Sequence, residues 1–158
     1  MRFVFIFVAC LVIFSCVKKQ STNPVPAIDY KSFVTTTNTT SESATLTLSY
    51  EDGDGDLFRD NNSDGPNLIY TIYIYNPSLK QFLPKVNIIT QDTDRVGMAI
   101  TQPGEGYKGK QVKGDIIWPM SQFRPNTITD TVFFYKLFMV DMKGNKSNMV
   151  TTPTFTVK

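Results

Sequence analysis

Between residues 44 and 50 the chain alternates without a break: Leu46, Leu48 and Tyr50 fall on one side, Thr45, Thr47 and Ser49 on the other. Period-2 alternation marks a strand with one face in a core and the other in water. Residues 28–37 read as an earlier strand, separated from it by a polar Thr/Ser/Asn turn over 38–43. Residues 68–75 are rich in β-branched and aromatic side chains and stop at Asn76-Pro77-Ser78, which is turn chemistry. Further strands are expected over 85–90, 96–101, 112–118, 131–141 and 150–157. No window of helical length carries apolar residues at a 3.6-residue period, and Gly or Pro interrupts most candidates. Seven to eight short strands joined by Gly/Pro/Asn turns predict an all-β antiparallel sandwich.

Two of these strands are apolar on both faces. Leu68, Tyr70, Ile72 and Ile74 oppose Ile69, Tyr73 and Tyr75; Phe133, Tyr135, Leu137 and Met139 oppose Val132, Phe134, Phe138 and Val140. A two-layer sandwich buries one face of each sheet, so the second apolar face needs a cover or a ligand. Tyr73, Tyr75, Phe134, Phe138 and Trp118 are candidates for a ligand platform, because Tyr and Trp stack on sugars and anchor protein interfaces. The alternative is that loops 76–84 and 102–114 fold back over this face.

The N-terminus follows a different rule. Met1-Arg2 supplies a short positive start, 3–14 is an apolar run too short to span a bilayer, and Ile13-Phe14-Ser15-Cys16 ends it. That ending resembles a bacterial lipobox, which implies cleavage after Ser15 and a diacylglycerol on Cys16; an ordinary secretory signal and an uncleaved anchor are the alternatives. Removing residues 1–15 leaves 158 − 15 = 143 residues, the size of one domain. Residues 16–26 carry Lys, Gln, Ser, Thr, Asn and Pro with little to bury, and read as a tether before a domain over 27–158.

Charge and rare residues narrow the chemistry. The formal charge of +2 loses Arg2 with the signal, and no basic block remains to track phosphates, so nucleic acid is not an expected partner. Of the two cysteines, Cys10 leaves with the signal and Cys16 is the lipidation candidate, so no disulfide is expected inside the domain. The chain has no histidine, which weighs against zinc sites and Ser/His hydrolysis. A carboxylate-only glycosidase needs just two acids about 5–10 Å apart in a cleft, but no spacing singles out a pair.

Six of the fourteen acidic residues fall in 51–65, from Glu51 through Asp52-Gly53-Asp54-Gly55-Asp56 to Asp60-Asn61-Asn62-Ser63-Asp64-Gly65. Aspartates at alternate positions with glycine between them let a curled backbone point several hard oxygens at one centre, as calcium requires. Asp52, Asp54, Asp56, Asp60, Asn62 and Asp64 are the candidate ligands. Neither EF-hand register is complete: Leu57 and Ser63 break the first, and Thr71 stands at the twelfth position of the second. The bland alternative is a solvated acidic turn. The segment resembles the D-G-D-G-D-L stretch of small lipoproteins of Bacteroidetes-type bacteria and the D-x-D-G-D loops of cadherin-like sandwiches, and that resemblance implies calcium.

Two further motifs bear on fold and function. Residues 131–141, followed by Met142-Lys143-Gly144-Asn145-Lys146-Ser147-Asn148, resemble the final hairpin of immunoglobulin-like and fibronectin type III-like domains, where an aromatic strand enters D-x-x-G-N-x-S. Asp141 and Ser147 are placed to bond the turn backbone, and Gly144-Asn145 to take positive φ. Gly104-Glu105-Gly106-Tyr107-Lys108-Gly109-Lys110-Gln111 imitates a phosphate loop, but Gln111 replaces the Ser/Thr and a strand follows where a helix is needed, so no nucleotide is expected. The sequence therefore predicts a lipid-anchored, non-catalytic binding or assembly module of the cell envelope, at the outer membrane, with envelope proteins or glycans as partners. A carbohydrate-binding accessory protein of a glycan-uptake system is the alternative.

Overall fold

The computed structural model describes residues 23–37, 42–101, 106–120 and 131–157. The signal (1–15), Cys16 and the first part of the tether lie outside them, as do most of the 38–43 turn and residues 102–105. Two antiparallel sheets face each other, an architecture compatible with an immunoglobulin-like sandwich. The smaller runs in the order β1 (Ala27–Thr37), β2 (Glu42–Asp52), β6 (Val112–Met120). The larger runs β4 (Gln81–Pro84), β3 (Leu68–Asn76), β7 (Thr131–Met139), β8 (Val150–Thr151), with β5 (Val96–Met98) also beside β3 and β9 (Phe155–Val157) beside β7.

The alternation sets the core. Leu46 and Leu48 of β2 face Phe133, Tyr135, Leu137 and Met139 of the other sheet, all fully buried, with Ile116 and Met120 beside them. Each such side chain contributes about 1.5–3 kcal/mol by leaving water. Rings join the layers: Tyr70 of β3 lies 4.9 Å from Trp118 of β6, and Phe33 of β1 stacks at 4.0 Å on Phe155 of β9.

Nine strands form among the described residues, against the seven to eight expected, and two differences have local causes. Residues 85–90 make a turn instead of a strand. The Asn87 carboxamide accepts from the Ile89 and Thr90 N–H groups at 2.9 and 3.2 Å, so the side chain takes backbone donors a ladder would use. The strand beside β3 falls earlier, at β4. Residues 150–157 split into β8 and β9 because Pro153 has no N–H to donate. Thr152 bridges the gap, its hydroxyl accepting from the Tyr135 N–H at 3.0 Å.

Register gathers the loops of interest at one end. Ala27 pairs with Glu51, Asp52 with Val112, and Leu68 with Met139. The start of β1, the acidic loop and the turn after β7 therefore share that end. Across it, Met142 N donates to Asp56 O at 2.9 Å and Val140 N to Asn67 O at 2.8 Å.

Candidate metal centre

Asp52 ends β2 and is fully buried. One of its oxygens, Oδ2, accepts from the N–H groups of Asp56 and Leu57 at 2.9 and 3.0 Å, which curls the chain back through Gly53-Asp54-Gly55. Gly55 has φ +70°, and a Cβ there would stand 2.1 Å from the Tyr107 carbonyl oxygen. Glycine is thus required both by the backbone angle and by the segment packed on it. That segment is the phosphate-loop lookalike: Gly109 N donates to Asp54 O at 2.6 Å, Lys108 pairs with Asp60 at 2.7 Å, and Gln111 bonds Glu51 at 2.6 Å. Lys108, Gly109 and Gln111 brace the acidic loop, and Val112 continues into β6 as the sequence predicts.

The curl brings one carboxylate oxygen from each of Asp52, Asp54 and Asp56 within 4.8 Å of the others. At 2.3–2.6 Å from a shared calcium, two ligand oxygens stand about 3.3–5 Å apart, so the spacing fits. Each aspartate is bonded through one oxygen only. Asp54 Oδ2 is held by the Lys143 ammonium, and Asp56 Oδ2 lies 3.0 Å from that same nitrogen. The second oxygens, Oδ1 of Asp52, Asp54 and Asp56, are buried and accept no hydrogen bond from the described residues. Burial, then the neighbouring carboxylates, pushes the Asp52 carboxyl above its ordinary range; burial does the same to Asp56. Asp54 is held below it by Lys143. A hard cation supplies what the unpaired Oδ1 atoms of three clustered carboxylates need, in a pocket that disfavours bare charge.

The other three predicted ligands are not brought into this cluster. Asp60 turns to Lys108. Asn62 and Asp64 form a short exposed 3₁₀ turn (Asn62–Asp64), where the Asp64 carboxylate accepts from the Asn61 N–H at 3.1 Å. The aspartate that does pack close is Asp141. It is buried, but its oxygens are used by the turn of the final hairpin: Lys143 N and Asn145 N donate to Oδ1 at 2.9 and 2.8 Å, and Asn145 Nδ2 donates to Oδ2 at 2.8 Å. Gly144 takes φ +87° and the Ser147 hydroxyl accepts from Met139 N at 2.9 Å, as expected of D-x-x-G-N-x-S, but Asn145 does not share the positive φ expected of it. Lys143 was not legible as a partner of Asp54, since 89 residues separate them and only the fold brings them together.

On the outer face of the larger sheet, Tyr73 and Phe134 stack at 5.0 Å with ring planes 3° apart, and Phe82 of β4 packs edge-on to Phe134 and Tyr75. The 76–84 segment thus covers part of the face by adding an edge strand rather than by folding over it. Trp118 does not belong to this surface: the alternation of β6 turns it into the core, 9% exposed. Beside Tyr73 and Phe138 lies an open groove of about 370 Å³, to which Arg95, Lys136 and Lys146 contribute. Lys136 sits 4.7 Å over the Tyr73 ring and Lys146 5.8 Å over Phe138. These three cations come from separate segments, which is why the sequence did not group them.

Comparison with protein-family models, with curated proteins and with solved structures finds no match to this chain.

Proposed function

We propose that this protein is a lipid-anchored, non-catalytic β-sandwich module of the bacterial cell envelope, held at the outer membrane through Cys16 and stabilised by calcium at Asp52, Asp54 and Asp56. The observation that carries the ion is the set of three buried Oδ1 atoms without a donor. The anchor rests on the lipobox-like end of the N-terminal apolar run. Because Ala27 pairs with Glu51, the tether leaves from the ion-site end, and the ion ties together the strand ends next to the attachment point. The clustered acids belong to one loop and are covered by a lysine, an arrangement that suits a structural ion better than an acid/base pair in a cleft.

The full chain produced in a bacterial host is expected to incorporate labelled palmitate and sediment with membranes, and Cys16→Ser to lose both. Purified in mild detergent, it is expected to melt several degrees higher in about 2 mM calcium than in EDTA, because a ligand of the native state stabilises by mass action. Asp54→Asn combined with Asp56→Asn should erase that difference. Equal melting in both buffers would remove calcium as a stabiliser of the parent chain, and membrane association of Cys16→Ser would remove the lipid.

The cationic groove beside the aromatic ladder favours a second reading, a carbohydrate-binding accessory protein of a glycan-uptake system. Tyr73 and Phe138 line the groove as aromatic surface, and Arg95, Lys136 and Lys146 bring donors to it. In affinity electrophoresis against immobilised polysaccharides, Phe138→Ala should then lose the retardation the parent chain shows; no retardation of the parent chain would end this reading.

A further inference from the structure

We propose that Lys143 is a built-in competitor for the ion, so that the aspartate site has two cationic states: one closed by the lysine ammonium and one holding a divalent cation. The inference rests on the calcium reading of Asp52, Asp54 and Asp56 and specifies how that site is regulated.

The first argument is charge. Three carboxylates converge and one ammonium reaches them, touching Asp54 and Asp56 through their Oδ2 atoms. The lysine-closed state therefore keeps two uncompensated negative charges, and exchanging the ammonium for a divalent cation leaves one. The second argument is the unsatisfied atoms. Asp52 is fully buried and Asp56 is 8% exposed, and in both Oδ1 has no donor. Lys143 therefore covers the site without completing it. Its three N–H donors reach two of the carboxylates through oxygens other than those left unsatisfied.

The third argument is how easily the lysine leaves. Its side chain is 62% exposed, and its backbone is fixed independently by the Asp141 carboxylate. The ammonium can swing into water while the turn keeps its shape, so exchange needs no rearrangement of the sandwich. A calcium ion bound to the Oδ1 atoms would stand close to the ammonium, and the two like charges oppose simultaneous occupancy. Binding then has to overcome an existing ion pair. That places the affinity with extracellular calcium modules, about 10⁻⁴–10⁻³ M, rather than with tight intracellular buffers.

The test is a calcium titration by isothermal calorimetry on the full chain in mild detergent, with CaCl2 as the probe, in four forms: parent, Lys143→Met, Lys143→Arg, and the Asp54→Asn/Asp56→Asn double variant. Lys143→Met should bind calcium about tenfold more tightly, the scale expected when two partly exposed ion pairs no longer compete. Lys143→Arg keeps the charge and should remain within about threefold of the parent. In EDTA the Met variant should melt below the parent, and in calcium the two should converge, a crossing that a merely structural lysine would not produce. Lys143→Gln serves as a second neutral variant should Lys143→Met fold poorly. Calcium binding by the parent with equal or weaker binding in both neutral variants would overturn the competitor and leave the metal site standing. No binding by any form would overturn the metal reading itself, and the inference with it. Binding by the neutral variants alone would place the parent at the extreme in which the lysine wins.

Discussion

Asn67→Leu is expected to destabilise the protein by about 3–5 kcal/mol, although the two side chains are similar in size. Asn67 is fully buried just before β3 and uses its whole carboxamide. Nδ2 donates to the carbonyls of Leu57 and Ile100 at 2.8 and 3.0 Å, and Oδ1 accepts from Ile100 N at 2.6 Å. Its backbone adds a bond to Met98 O and accepts one from Val140 N. Leucine leaves the Leu57 carbonyl and the Ile100 N–H without the partner Asn67 supplies, at about 1–3 kcal/mol each before relaxation, and leaves the Ile100 carbonyl with the Arg59 N–H alone. Those groups lie on the segments that carry the acidic loop and the β5 edge, so the variant should also weaken the calcium response. Urea denaturation with a midpoint loss worth under about 1 kcal/mol would show that the bridge contributes little.

Asn67 also marks where sequence reading stops. The alternation of Leu46, Leu48 and Tyr50 against Thr45, Thr47 and Ser49 was enough to fix which face of β2 turns inward, whereas β7 is apolar on both faces and only the fold shows that Phe133, Tyr135, Leu137 and Met139 are the buried ones. The D-x-x-G-N-x-S turn was legible for the same kind of reason, since its bonds are local and its geometry is written in Asp141, Gly144 and Ser147. Asp52, Asp54 and Asp56 could be proposed as a cluster because their spacing is local too. Asn67 could not, since the partners of its carboxamide are backbone atoms up to 33 residues away and leave no mark on their side chains. Lys143 is the same case at longer range. Trp118 shows the opposite error: grouping it with the outer aromatics ignored the parity of β6, in which Ile116, Trp118 and Met120 share the inward face.

Asp52→Ala and Asp52→Asn should separate the two tasks of the buried carboxylate. Alanine removes the acceptor for the Asp56 and Leu57 N–H groups and is expected to cost about 2–4 kcal/mol, as two buried donors lose their partner. Asparagine keeps an oxygen for both donors and puts an NH2 group where Oδ1 had no partner, so in EDTA it should lie within about 1 kcal/mol of the parent or above it. Neither variant should gain from calcium as the parent does. The pH dependence in EDTA follows from the same site. Asp52 and Asp56 have carboxyls raised above their ordinary 3.8 in the folded state. Their contribution is therefore fully present below that value and lost as pH rises through the folded ones. Asp54, lowered by Lys143, runs the other way: its contribution is present above 3.8 and lost as pH falls through its folded value. Because the Asp54 contribution is already complete above 3.8, the metal-free protein should lose stability as pH climbs above about 4, through Asp52 and Asp56. Calcium should remove that loss because it binds the ionised carboxylates, and Asp52→Asn should reduce it with no metal present. Chemical melts of the three forms at pH 4, 5, 6 and 7 (all approximate settings), with and without calcium, distinguish this from a purely structural Asp52. In that case Ala and Asn would differ in stability while the pH slope of both matched the parent's.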